Sequence, residues 1–229
     1  MRIMLIHPHL DTLGGSEILT SILAHELKSL GHEIFIVTRA RKEELFPDMK
    51  NVKYIYFRKR PHDITDIAYA NIHSITSTMH TVFTRHEPDV VLVMIQEPIY
   101  ALISKLLRPS TGVAMYIHFP FEEELTQEKL RIFLEMYRFP GMYERLYNIA
   151  DLHMTNSAYT ARALHMNFGI ESNIVYPAIF WDYYEEEPPL SKVPSPTIVT
   201  VGRFVPHKRI DVLVKLFKER IKKEIPEAE

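Results

Sequence analysis

The sequence predicts an α/β fold in which helices cover both faces of a doubly wound parallel sheet. The first observation is that apolar strand patterns alternate with helical patterns along most of the chain. The second is that segments such as "RIMLI" and "DVVLVMI" are apolar on both faces, which is typical of buried parallel strands. A chain of 229 residues is long enough to bury one large core or two small ones.

The first block of elements, residues 1–176, is interpreted as one domain. "RIMLI" is its first strand, and the apolar residues after Ser16 recur on one helical face as far as Gly31, a candidate C-cap. The other strands are predicted at "EIFIVT", "VKYIYF", "DVVLVMI", "GVAMYIHF", "DLHMTNS" and "NIVYP". The other helices are predicted at 62–86, at "IYALISKLL", at 126–149 and at "AYTARALHMNF", which Gly169 ends.

A break follows this block. Residues 177–196 are rich in proline and have neither a helical nor a strand period, which indicates an inter-domain linker. Residues 197–229 then contain the strand "TIVTVG" and the amphipathic helix "IDVLVKLFKERIKK". One strand and one helix cannot bury a core alone, so we expect this segment to be the beginning of an incomplete second domain.

Composition excludes several classes of site. The chain has no cysteine, which rules out disulfides and thiolate zinc sites. Its 12 histidines are scattered without an HExxH motif, and we expect no metal site. A net charge of −2 gives no indication of nucleic-acid binding. No apolar run approaches a membrane span, and the N-terminal segment is too short for a signal peptide, so the expected location is the cytoplasm.

The charge is uneven along the chain. Residues 39–60 carry eight Lys/Arg and three Asp/Glu, a local charge of +5. One interpretation is a solvated surface around a strand. The other is a surface that meets anionic lipid or a phosphate-bearing acceptor at the cytoplasmic face of a membrane.

Two adjacent glycines, Gly14 and Gly15, stand between the first strand and the first helix. Glycines here let a phosphate approach the backbone N–H groups at the start of the helix. The alternative is a tight turn with Ser16 as the helix N-cap. The pattern is not GxGxxG, and no acidic residue closes the second strand, so the sequence does not favour a dinucleotide cofactor.

A second loop of interest is "GRFVPHKR", which lies between the strand and the helix of the second block. Arg203 and Lys208 are two cations at the carboxyl end of a predicted strand, where ligands bind in open α/β sheets. Such a pair suits a diphosphate. A basic surface loop is the other interpretation.

Several of these segments together resemble a known family. "GGSE", "ADLHMTNSAYTARAL", "VYPAI" and "VGRFVPHKRIDVLVKLF" follow one another in the order and spacing of the retaining GT-B glycosyltransferases of the glycogen-synthase and mannosyltransferase-like group, glycosyltransferase family 4. The stretch "YIHFPFEEE" resembles the "YIHYP" segment of dolichol-linked oligosaccharide mannosyltransferases. The resemblance covers essentially the whole chain.

This resemblance implies two Rossmann-like domains that face a cleft, with the acceptor on the first and a nucleotide sugar on the second. It implies no cofactor, a UDP- or GDP-linked donor as substrate, and a saccharide or polyprenyl-linked acceptor. The chain contains no DxD motif, which fits a metal-independent reaction. The family's donor-sugar motif would lie beyond residue 229, so we expect a truncated form, a gene fragment or half of a split enzyme.

The resemblance also implies roles for individual residues. His118 would lie near the transferred sugar, although a histidine at a strand end is otherwise more often structural. The run Glu122, Glu123 and Glu124 is assigned no catalytic base, since the leaving phosphate can serve as one. The remaining positions that match the family are Gly14 and Gly15 near the donor diphosphate or the acceptor, Asn156 and Ser157 at a turn in the cleft, and Arg203 and Lys208 on the donor phosphates.

Three functions follow from these observations. The first is a glycosyltransferase, or its N-terminal half, that transfers a sugar with retention. The second is a non-catalytic subunit of a split enzyme that recruits the acceptor or a membrane. The third is another sugar-phosphate enzyme of similar fold, such as an epimerase. The free edge and exposed apolar residues of the incomplete domain predict one of three outcomes: it folds back on the first domain, it pairs with a second copy to form a homodimer, or it is mobile.

Overall fold

The computed structural model describes residues 1–45, 52–57, 72–118, 142–179, 195–202, 204 and 208–229. The chain divides into two compact units, residues 1–180 and 181–229. This division falls inside the segment 177–196 that the sequence analysis assigns to a linker. Most of that segment, residues 180–194, lies outside the described residues.

A seven-stranded parallel sheet forms the centre of the first unit. Its strands are β1 Arg2–Ile6, β3 Glu33–Thr38, β5 Lys53–Tyr56, β6 Val90–Val93, β7 Gly112–Ile117, β8 Leu152–Thr155 and β9 Asn173–Ile174. Two further short strands, β2 His9–Leu10 and β4 Ala40–Arg41, pair with each other beside the sheet. The order across the sheet is β5-β3-β1-β6-β7-β8-β9, so the strand order reverses between β1 and β6.

Helices cover both faces of this sheet. They are α1 Gly15–Ser29, α2 Ile72–His86, α3 Ile99–Leu107, α4 Met142–Tyr147 and α5 Ala158–Phe168. Side chains of one strand alternate between the faces, so Ile3 and Leu5 belong to the core that contains Leu19 of α1. Met4 and Ile6 belong to the core formed with α2, α3, α4 and α5. The predicted doubly wound α/β fold is therefore confirmed.

Local signals place several element ends. Gly31 has a φ of +85°, and its N–H and that of His32 bond the carbonyls of Lys28 and Leu27, which closes α1 with a Schellman motif. Gly169 has a φ of +66° and ends α5, where its N–H bonds the carbonyl of His165. The predicted helices 62–86 and 126–149 are seen only in part, because residues 58–71 and 119–141 lie outside the described residues.

The second unit differs from the expectation. Its helix α6 runs from Ile210 to Leu216 and continues through a π-helical segment, Phe217–Ile221, to Glu224. The predicted strand at 197–202 is wrong: these residues join no ladder among the described ones. A strand needs a neighbouring strand, and within the part of the chain that the structure describes this segment instead bonds a single residue after the helix: Ile198 N–H donates to the Glu229 carbonyl at 2.8 Å.

Candidate functional site

The strand order locates a candidate site at the carboxyl edge of the sheet. In open parallel sheets, ligands bind where the strand order reverses, outside the carboxyl ends of the strands. Here that point lies between β1 and β6. His7 follows β1, Met94 follows β6 and His118 follows β7, so the carboxyl edge has two imidazoles and the Met94 carbonyl on three neighbouring strands.

The amino edge of the sheet is different. Asp89 accepts the backbone N–H of Arg2 at 2.8 Å, and Asp151 accepts that of Val113 at 2.7 Å and pairs with Lys105. These carboxylates are occupied by structural bonds to neighbouring strands. The carboxyl edge instead presents neutral imidazoles, which suits it to ligand binding.

His7 is buried directly after β1, with 1% of its surface exposed. Its Nδ1 accepts the backbone N–H of His9 at 3.1 Å, so the proton of the neutral ring lies on Nε2. Burial, together with the positive charges that His9 and His118 would carry, lowers its pKa to about 3. Nε2 is buried and has no hydrogen-bond partner among the described residues. His7 is therefore a neutral ring with an unused donor.

His9 lies next to His7, with the two rings edge to face and 6.4 Å between their centroids. The guanidinium of Arg39, which follows β3, contacts the His9 ring and also donates from Nε to the Pro8 carbonyl at 3.2 Å. Burial and the Arg39 charge lower the pKa of His9 to about 4, against a smaller opposing effect of Asp11. Arg39 is consequently the cation of this edge, while His9 stays neutral.

His118 is partly exposed at the end of β7. Its Nε2 donates to the carbonyl of Met94, the residue after β6, at 3.0 Å. This hydrogen bond places the proton on Nε2 and leaves Nδ1 as the unprotonated nitrogen. The ring also packs on Tyr116, with centroids 4.9 Å apart. Burial lowers the pKa of His118, against the opposing effect of the Met94 carbonyl. The ring is thus neutral, fixed in one orientation and equipped with an acceptor.

Asn156 holds the exit of β7 in place. Its Nδ2 donates to the His118 carbonyl at 2.5 Å, and its Oδ1 accepts from the hydroxyls of Ser157 and Thr160. Ser157 is the N-cap of α5, where its Oγ accepts the N–H of Thr160 at 3.2 Å. The structure therefore brings three predicted residues together: Asn156 and Ser157 support the backbone that carries His118.

Gly14 and Gly15 form the start of α1 and lie outside the left-handed region. Gly14 is the N-cap, with a φ of −149°, so the prediction that Ser16 caps the helix is wrong. Ser16 donates instead to Oε2 of Glu17 at 2.9 Å. A Cβ on Gly14 would lie 2.4 Å from that Oε2, whereas a Cβ on Gly15 would meet nothing within 4 Å. A side chain at position 14 would therefore displace the end of the Glu17 side chain, whereas Gly15 leaves its backbone open to a ligand.

The remaining predicted residues lie elsewhere or outside the description. Lys208 is exposed just before α6 in the second unit, and Arg203 lies outside the described residues. The same holds for the run 122–124. Tyr147, in the predicted helix 126–149, is buried and donates to the Gln96 carbonyl at 2.7 Å, so it is a core residue.

Sequence reasoning missed His7, His9 and Arg39. His7 and Arg39 each directly follow a predicted strand, and His9 lies two residues after His7, so their positions near strand ends were the available signal. What placed His7 and His118 only two strands apart was the strand order, which the alternation of elements alone does not give.

Two searches of the described residues complete this description. No three of their His, Asp or Glu side chains gather into a group that could hold a metal ion. None of their helices has both the length and the apolar character needed to cross a bilayer. The site thus offers neutral donors and acceptors, one guanidinium and an open helix start. This combination can orient hydroxyls and bind an anion.

Comparison with protein families gives one match. The model described as Glycosyltransferase Family 4 matches residues 13–179, most of the chain. This segment contains the glycine pair, His118 and the Asn156 turn. A comparison with curated protein sequences finds no match.

Solved structures of glycosyltransferases have a similar fold. A glycosyltransferase from Rickettsia africae has a TM-score of 0.66 at 16% identity, covering 95% of this chain and 57% of its own. Sucrose-phosphate synthase from Thermosynechococcus elongatus has a TM-score of 0.65 at 13% identity, covering 99% and 60%. HepE of Anabaena, solved with UDP-glucose, has a TM-score of 0.61 at 14% identity, covering 100% and 59%. The chain therefore spans less than two thirds of each of these structures.

Proposed function

The chain belongs to glycosyltransferase family 4, and we propose that the protein transfers a sugar from a nucleotide-sugar donor to a saccharide or lipid-linked acceptor. The observation that carries this proposal is the position of His118. It lies at the carboxyl edge next to the strand-order reversal, inside the family match, and it is neutral and held by Met94 and Asn156. UDP-glucose in the similarly folded HepE supports a nucleotide-sugar donor.

The first unit is proposed as the acceptor side of the enzyme. Its edge offers neutral imidazoles for sugar hydroxyls and the start of α1, where backbone N–H groups and the helix dipole favour a phosphate. Donor phosphates would be neutralised by cations, for which Lys208 and Arg203 are the candidates in the segment 197–229. Neutralisation by side chains and helix dipoles is the basis for proposing a metal-independent reaction. Retention at the anomeric carbon is proposed from the resemblance to the retaining members of the family.

The test is product formation by the full-length protein. A panel of UDP- and GDP-sugars is offered with saccharide and polyprenyl-phosphate acceptors, with and without EDTA, and the anomeric configuration of the product is read by NMR. We expect one donor to be used in EDTA with retention. His118→Ala should lower kcat by about 10²-fold or more, since it removes a contact made in the transition state, with little change in Tm.

Other outcomes would contradict parts of this proposal. Inhibition by EDTA would remove metal independence, and an inverted product would remove retention. Binding of acceptor without transfer from any donor would favour the non-catalytic, acceptor-recruiting subunit. An unchanged kcat in His118→Ala would make His118 a structural residue.

A further inference from the structure

The unused donor of His7 is the feature that the proposed function does not explain. Almost all buried polar groups in proteins have a hydrogen-bond partner, and a buried N–H without one destabilises the fold. His7 is 1% exposed, and its Nε2 has no partner among the described residues. Rotation of the His7 ring would break the hydrogen bond in which Nδ1 accepts the backbone N–H of His9 at 3.1 Å.

His118 presents the opposite feature. Its Nε2 proton is used by the Met94 carbonyl at 3.0 Å, so the lone pair of Nδ1 is its free function. Among the described residues, Nδ1 of His118 accepts no hydrogen bond. One imidazole therefore offers only a donor and the other offers only an acceptor.

The two rings lie on opposite sides of the strand-order reversal. His7 leaves β1, whereas His118 leaves β7 and is fixed to the exit of β6. Met94 links the two: its N–H donates to the carbonyl of Ile6, the residue before His7, at 3.0 Å, and its own carbonyl accepts from Nε2 of His118. A charge on His118 would also lower the pKa of His7. His118 is partly exposed, whereas His7 is 1% exposed.

We propose that His7 and His118 together bind one sugar hydroxyl, which accepts from Nε2 of His7 and donates to Nδ1 of His118. This inference rests on the proposed function, since a sugar transferase brings hydroxyls to this edge. It assigns His7 as a specificity-determining residue for the substrate. The hydroxyl belongs either to the transferred sugar or to the acceptor, and the chemistry of recognition is the same in both cases.

A hydroxyl fits this pair better than a charged group. Both rings are neutral, because burial lowers both pKa values. A phosphate or carboxylate oxygen can only accept hydrogen bonds, so its negative charge would be repelled by the lone pair on Nδ1 of His118. An ammonium only donates and would face the N–H of His7. A hydroxyl does both at once and satisfies each ring.

The pair should discriminate strongly against substrates that lack this hydroxyl. An analogue without it leaves a buried donor and a buried acceptor unpaired, and sites of this kind reject such analogues more strongly than apolar pockets do. We expect kcat/KM to fall by about 10²-fold for the deoxy analogue at one position. The fluoro analogue should fare little better, because fluorine cannot donate to His118.

The experiment compares His7→Phe, which removes the donor, and His7→Gln, which retains an N–H near Nε2, in the full-length protein. Deoxy and fluoro analogues of the donor sugar form one arm, and those of the acceptor form the other. Wild type should show one sensitive hydroxyl, in one arm. His7→Phe should lose discrimination at that hydroxyl alone, and His7→Gln should keep part of it.

His153→Phe is the matched control. His153 is also a buried histidine, but it lies within β8 and its Nε2 donates to the Tyr147 carbonyl at 2.8 Å. This variant should lower Tm without changing discrimination at any hydroxyl. Discrimination in folded His7→Phe equal to that of wild type would overturn the hydroxyl site while transfer itself, and with it the proposed function, still stands.

A second measurement does not depend on turnover or on a folded variant. Imidazole 15N NMR of the wild-type full-length protein should show His7 and His118 as neutral rings with the proton on Nε2. Titration with the nucleotide sugar and then with the acceptor should shift the His7 Nε2 and His118 Nδ1 resonances together. No joint shift with either ligand would overturn the site, including where no donor is turned over.

Discussion

At the scale of single residues, burial keeps His7, His9 and His118 neutral, and backbone groups fix the tautomers of His7 and His118. His7 and His9 are held neutral after β1, and His118 is held neutral after β7. The carbonyl of Met94 and the N–H of His9 each occupy one ring nitrogen and so expose the other. Neutral rings of known tautomer are suited to hydroxyl recognition.

The neutrality of His7 predicts how stability depends on pH. Its pKa is about 3 in the folded chain, against about 6.5 when unfolded. Between these values the unfolded chain binds a proton that the folded chain does not. The free energy of unfolding therefore has its full value above pH 6.5 and falls below it, by up to about 1.4 kcal/mol per pH unit for this histidine.

Urea denaturation of wild type and His7→Gln between pH 7.5 and about 4.5 checks this, because the carboxylates contribute equally to both proteins. The difference in unfolding free energy should change across the range, with His7→Gln less sensitive to acid. His25→Gln, at an exposed position on α1, is the control and should follow wild type. Parallel curves for wild type and His7→Gln would show that His7 is protonated equally in both states.

Asn156 predicts a link between stability and turnover. Asn156→Ala removes the 2.5 Å bond to the His118 carbonyl and the acceptor used by Ser157 and Thr160. We expect the unfolding free energy to fall by about 1–3 kcal/mol and kcat to fall as well, because His118 loses its support.

Ser157→Ala is the comparison for this variant. It removes the N-cap of α5 and should lower stability by about 1 kcal/mol, while the bond to the His118 carbonyl is retained. Thermal denaturation and kcat are measured on both variants. A kcat in Asn156→Ala no lower than in Ser157→Ala would mean that Asn156 supports only the helix.

At the scale of elements, the start of α1 combines a structural requirement and an opening for a ligand. Gly14 makes room for the carboxylate of Glu17, which lies in the first helical turn where the dipole favours it. A Cβ on Gly15 would meet no atom within 4 Å. The two glycines should therefore respond differently to substitution.

Gly15→Ala should leave stability unchanged or raise it by up to about 1 kcal/mol, because alanine is the better helix former and its Cβ meets no atom. It should raise the KM for the nucleotide sugar if phosphate approaches this backbone. Gly14→Ala should lower Tm modestly, because alanine is a poorer N-cap than glycine and its Cβ would push aside the Glu17 carboxylate. Thermal denaturation and donor titration separate the two, and an unchanged KM in Gly15→Ala would leave the glycine pair without a role in binding.

At the scale of the whole molecule, the two units are unequal. The first has a complete seven-stranded sheet with a core on each face. In the second, several large apolar side chains are exposed: Val199 is 79%, Val201 95% and Phe204 91% exposed. A side chain held on such a segment has no packed scaffold, and a loosely held site loses most of its catalytic advantage.

Residues 1–229 alone should therefore bind UDP- and GDP-sugars weakly and show no transferase activity. Light scattering should report whether two copies associate through the exposed apolar residues of the second unit. Titration calorimetry with UDP- and GDP-sugars reports the affinity. Micromolar donor binding with measurable transfer by residues 1–229 alone would show that these residues hold the whole donor site.

The local sequence by itself determined most elements of the first unit. Helices α3 and α5 match their predicted ranges. Apolar periodicity indicates both helices, and α5 also has a serine N-cap and a terminal glycine. All of these signals come from residues that are neighbours in the sequence. The family resemblance is also confirmed, since its motifs are short stretches that lie within the matched residues 13–179.

Only the tertiary structure decided the strand order, the histidine tautomers and the fate of residues 197–202. A parallel sheet places the carboxyl ends of all its strands at one edge, and the strand order sets β6 between β1 and β7, so that His7 and His118 are two strands apart at that edge. Their tautomers depend on the His9 N–H and the Met94 carbonyl. Residues 197–202 are not a strand, since among the described residues no strand pairs with them. Strands that pair are far apart in the sequence, so the pattern of one segment indicates that it can form a strand but does not identify the strand beside it.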